Sequence, residues 1–126
     1  KLSRINVFIT DPFMLLSFLL LQKIKEFLKM KDTLMSIQII PKTPNNDNVI
    51  PYVDEAIKII DESGMHFRVG PLETTVQGNM NECLILIQSL NERMVELECP
   101  SIISQVKFYH VPDGITIETL TEKYDE

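Results

Sequence analysis

Tryptophan is missing from this 126-residue chain, glycine is rare at four residues, and cysteine is rarer still at two. Cys83 and Cys99 are too few for a disulfide framework, and neither has metal-ligand spacing to His66 or His110. The expectation is a reducing, cytoplasmic setting with no metal and no cofactor. Cys83 falls on an apolar helical stripe, where a free thiol behaves as a small hydrophobe, and no Cys-His pairing signature marks a nucleophile. Long hydrophobic runs are also lacking. The run Phe13 to Leu21 is interrupted by Ser17 and bounded by Asp11-Pro12 and by Gln22-Lys23. A spanning helix needs about 20 apolar residues, so no membrane partner is expected. A secretory signal fits poorly, because no small-residue cleavage site follows.

Positive charge is scarce and unevenly placed. In residues 1–30, five basic residues against Asp11 and Glu26 give +3, so residues 31–126 carry −9 of the total −6. Such acidity repels phosphate backbones and argues against nucleic-acid binding. It serves solubility, and it is also compatible with a neutral or cationic ligand.

The segment 1–34 differs in texture from the rest and is read as an N-terminal extension. Lys25-Glu26 can be encoded by AAG-GAG, a purine run placed like a bacterial ribosome-binding site before Met30, with Met35 a second candidate start. The expectation is a start assigned too far upstream, which the N-terminal mass of the natural protein decides. The competing expectation is an amphipathic accessory helix over residues 12–30.

From residue 35 to 126 the periodicities alternate between strand and helix. Ser36-Ile37-Gln38-Ile39-Ile40-Pro41 predicts a first strand, and Thr43 to Asn48 a loop. Val49, Val53, Ala56, Ile57 and Ile60 recur at helical spacing over 49–63, with Asn48 placed to cap the start and Gly64 to end the helix. Residues 65–70 and 74–77 read as a hairpin around Pro71-Leu72-Glu73. Asn79 and Glu82 form a capping-box signature before the stripe Cys83, Ile87, Leu90, Met94 and Leu97. A fourth strand over 102–109 and a short acidic helix over 117–124 complete the order. Two right-handed crossovers joined by a hairpin give a ferredoxin-like β-α-β-β-α-β sandwich of the α+β class, with a four-stranded antiparallel sheet.

Only one face of such a sheet is covered. Period-two alternation sets Phe67, Val69, Val76, Val106 and Phe108 under the helices. It leaves Ser36, Gln38, His66, Arg68, Thr75, Gln77, Gln105, Lys107 and Tyr109 on the open face. Plain solvation explains polar residues there, and so does a second sheet or a small polar ligand, because amides and hydroxyls give directed bonds with little charge to desolvate. His66 and His110 lack sequence-level partners for general-base work, and the acids Asp54-Glu55, Asp61-Glu62 and Glu96/Glu98 sit on predicted solvent faces. No enzyme is expected.

The run Gly70-Pro71-x-x-Thr74-x-x-Gln77-Gly78 resembles the motif Gly-Pro-x-Gly-Thr-x-x-Glu-Gly of the YkoF-like thiamine-binding protein family. The resemblance extends to Ser36 to Pro41 and to Ile50 to Ile57. It implies a non-catalytic protein that binds thiamine or its hydroxymethylpyrimidine part and assembles through sheet contacts as a homodimer or homotetramer. Gly70, Thr74 and Gly78 match the motif, while Gln77 replaces a glutamate and Glu73 a glycine. The expected ligand contacts are Ser36, Gln38, Gly70, Thr74, Thr75 and Gln77. The alternative is a regulatory or oligomerisation module sensing another small metabolite.

Overall fold

The computed structural model describes residues 11–125, so Lys1 and Arg4, two of the basic residues counted above, lie outside the described residues. The chain forms two units, Lys1–Met30 and Lys31–Glu126. In the first, helix α1 (Pro12–Lys29) begins where Asp11 Oδ1 accepts the Phe13 amide hydrogen at 2.9 Å. Proline in a first turn loses no bond, because its amide would have had no partner there. Asp11-Pro12, which interrupts an apolar run in sequence terms, is therefore the start signal of a helix.

The second unit contains β1 (Thr33–Lys42), α2 (Ile50–Glu62), β2 (His66–Val69), β3 (Thr74–Gly78), α3 (Met80–Glu96), β4 (Ser101–His110) and α4 (Ile117–Thr121). A 3-10 turn, Pro44–Asn46, links β1 to α2. The sheet order is β2-β3-β1-β4 with every neighbouring pair antiparallel, the ferredoxin-like arrangement. Local chemistry explains the boundaries. Asn48 Oδ1 accepts from the Ile50 amide at 3.1 Å, and Gly64 ends the α2 region at φ +75°, where a Cβ would be strained. Asn79 and Glu82 form the reciprocal capping box at the start of α3.

The core lies between the helices and one sheet face. Met35, Ile37 and Val76 meet Ala56 and Ile60 of α2 and Cys83, Leu86, Leu90 and Met94 of α3. Burial of each large apolar side chain is worth about 1.5–3 kcal/mol. Burial also pushes the Cys83 thiol up to about 11, with the nearby charges of Glu82 and Asp32 adding to it, so this sulfur stays protonated and packs.

Three expectations change. Leu86 joins the buried stripe of α3, while Ile87 and Leu97 are only partly buried, because the contact face of a helix is wider than one row. Val69 and Phe108 have the parity of the covered face yet are 50% and 38% exposed, since both stand on edge strands at the margin of the helical layer. The C-terminal helix is one short stretch, Ile117–Thr121, rather than 117–124.

Candidate functional site at the hairpin notch

The site begins with a mismatch of strand lengths. β4 pairs with β1 along its whole length, from Thr33 to Lys42, but β3 pairs with β1 only from Thr33 to Ile37. Beyond Ile37, β1 is an edge on that side, which is where Pro41 is tolerated. The β2–β3 turn fills the place a longer β3 would take. Gly70 N–H donates to the Glu73 carbonyl at 2.8 Å, and a Cβ at Gly70 would stand 2.8 Å from that same oxygen, so only glycine closes the turn unstrained.

Between this turn, β1 and α2 lies a cavity of about 220 Å³. Ile37, Ile39, Val53, Ala56, Ile57 and Ile60 supply apolar walls, and Gln38, Gly70, Thr74 and Glu73 the polar border. The size is below the roughly 300–1,000 Å³ of drug-sized pockets and suits a single substituted ring. Thr74 is only 7% exposed, opposite Ile37 on the covered face. Its neighbour Thr75 pairs with Ser36 and Arg68 on the other face.

The six residues expected to contact ligand therefore divide. Gly70 and Thr74 line the cavity, and Gln38, although its parity is that of the open face, borders it where β3 ends. Ser36, Thr75 and Gln77 lie together on the open face. Gln77 is engaged there by the C-terminal segment: its Oε1 accepts the Ile117 amide hydrogen at 2.9 Å.

That segment straps part of the open face. His66 pairs with Glu118, and Arg68 meets Asp125 through Nη2 at 3.0 Å. Ile117 is buried, and so is Leu34, which pairs with Gln77 across β1 and β3. The Glu118 carboxyl is held below the usual carboxylate range by its own backbone amide and then by His66. Asp125 is held down by the Thr121 hydroxyl and then by Arg68. His110, the other histidine, has Nδ1 3.0 Å from the hydroxyl of buried Thr33, which itself donates to Asp32. Both histidines thus have partners away from the cavity. Among the described residues no group of His, Cys, Asp and Glu could hold a metal ion, and no helix is long and apolar enough to cross a membrane.

A model of the thiamine-binding protein family matches residues 35–125. The chain belongs to this family. A UPF0045 protein of Clostridium perfringens is 31% identical over 90 residues, which is 71% of this chain and 94% of that protein. A Bacillus cereus domain of unknown function, DUF77, superposes with a TM-score of 0.71 at 26% identity, covering 77% of this chain and 93% of that one. A Thermotoga maritima structure described provisionally as a thiamine biosynthesis/salvage protein gives 0.68 at 29% identity, with 75% and 99% covered.

Within this thiamine-binding family member, the two departures from the motif fall at different places, one in the turn and one on the open face. Glu73 borders the cavity, and Gln77 holds the strap. Sequence reasoning missed the apolar walls from α2, because Val53 and Ile57 look like any core stripe. The Gly-Pro turn was the available signal, since a turn that needs glycine brings backbone close to whatever it faces.

Proposed function

We propose that this protein binds thiamine or its hydroxymethylpyrimidine part in the notch cavity, without catalysis and in a cytoplasmic setting. One observation carries the reading: Gly70 and Thr74, two residues of the Gly-Pro-Thr motif, converge on one cavity with apolar walls. A flat aminopyrimidine fits between Ile39 and the α2 side chains, with the Thr74 hydroxyl and the backbone at Gly70 as polar partners. Membership of the thiamine-binding family and the likeness to the Thermotoga maritima protein support it. Absence of turnover is consistent with both histidines being engaged elsewhere.

Calorimetry tests the site. Thr74→Val is expected to weaken thiamine or pyrimidine binding roughly fivefold, the worth of one neutral hydrogen bond. Unchanged affinity removes Thr74 from the site, and no heat with either compound at millimolar concentration removes the function.

A second reading sets the ligand on the open face, against Ser36, Gln38 and Thr75, at an interface between copies of the chain. The neutral polar set there favours it, together with the exposed pair Ile40 and Ile103, which face each other across β1 and β4 and suit a second sheet in a dimer or tetramer. Under that reading Ser36→Ala loses affinity and Thr74→Val does not.

A further inference from the structure

Resting on that reading of the cavity, we infer that Glu73 makes the notch selective for cationic heteroaromatic ligands, so that thiamine, with its quaternary thiazolium ring, is preferred over the neutral hydroxymethylpyrimidine. Glu73 is the only titratable residue among those lining the cavity, and no basic side chain accompanies it there. Among the described residues it takes part in no ion pair, and unlike Asp54, Glu62 and Glu92, which form none either, it lines this cavity. Its charge is thus free for a ligand.

The geometry brings that charge to the mouth. The Glu73 carbonyl closes the turn with the Gly70 amide, and one carboxylate oxygen lies 3.9 Å from where a Gly70 Cβ would stand. Inside, the walls are aliphatic and the polar partners neutral, which suits an uncharged ring. At the rim stand exposed Pro71 and Leu72 beside Glu73, an apolar surface and a negative charge adjoining one another. A two-part ligand with a neutral ring inside and a positive ring at the rim satisfies both zones. The −9 carried by residues 31–126 adds a field of the same sign.

The residue is a departure from the motif that the chain resembles, which has glycine where Glu73 stands. Titrations of the wild type, Glu73→Gln and Glu73→Gly with thiamine and with hydroxymethylpyrimidine test the inference. Wild type is expected to prefer thiamine. Each variant is expected to lose roughly two- to fivefold in thiamine affinity at low salt, the range of an exposed ion pair, and nothing for the pyrimidine. Added salt is expected to erode the wild-type preference and leave the variants unchanged. Binding of both compounds with no differential effect of either variant overturns the role of Glu73 and leaves the cavity assignment standing. Failure of both compounds to bind the wild type overturns the two together.

Discussion

On the covered face of the sheet, Met35, Ile37 and Val76 are buried against two long helices, while one residue along the same strands Ser36 and Thr75 stay partly exposed and Ile103 is 62% exposed. The covered face carries an apolar layer, and the notch where β3 ends early opens beside it. The open face is covered only in part, by a short segment held through polar contacts at Gln77, His66 and Arg68. Hydrophobic burial on one side is cooperative and runs through the whole domain. Hydrogen bonds and exposed ion pairs on the other side are individually weak and local. The same strands thus carry an apolar core on one side and a cover held by polar contacts on the other, and the cavity proposed for the ligand lies on the core side.

The strongest way to break this contrast is to empty the core. Leu90→Ala, at a fully buried position of α3, is expected to cost about 2–5 kcal/mol, read as a lower urea midpoint with every probe of folding moving together. A loss confined to α3 would show that the covered face is not one cooperative unit.

A smaller effect is expected at the strap. Gln77→Ala removes the acceptor of the Ile117 amide, so amide exchange over residues 117–125 should accelerate, while global stability falls by about 1 kcal/mol or less. Equal acceleration in α3 would refute a separable cover.

The smallest effect is set by pH. Both Glu118 and Asp125 have folded-state values below their ordinary ones, so their stabilisation is fully present above the ordinary carboxylate range and is lost as pH falls through the lowered values. Acidification below that range should release the strap before the core melts, visible as exchange of the 117–125 amides at unchanged far-UV circular dichroism. Both groups are exposed, so the change in overall stability is expected to be slight.

The element order, the caps at Asn48 and Asn79 and the hairpin at Gly70 to Glu73 were legible in the sequence because each depends on residues close together in the chain. The parity of the faces was legible too, since it needs only a period of two. The division of the site was not. Whether Thr74 or Thr75 meets a cavity depends on where β3 stops against β1, a pairing between distant residues that no local pattern encodes. Gln77 illustrates the same limit: its amide is polar and correctly placed on the open face, but its partner, Ile117, lies forty residues away along the chain.

Thr74 and Thr75 are neighbours in the chain and are separated by the thickness of a sheet. The loop Gly70 to Glu73 delivers Thr74 opposite Ile37, and that pairing sets which face each residue of β3 takes. A slip of β3 by one residue against β1 would turn the strand's side chains over, bringing Thr75 and Gln77 beneath the helices and Thr74 and Val76 into water. A residue added to that loop is therefore tolerated where the turn absorbs it and the pairing is kept. Homologues that lengthen or shorten this loop by one residue are expected either to absorb the change within the turn or to carry a compensating shift of the polar and apolar positions in β3, so that in this part of the chain the strand is constrained by parity as well as by length.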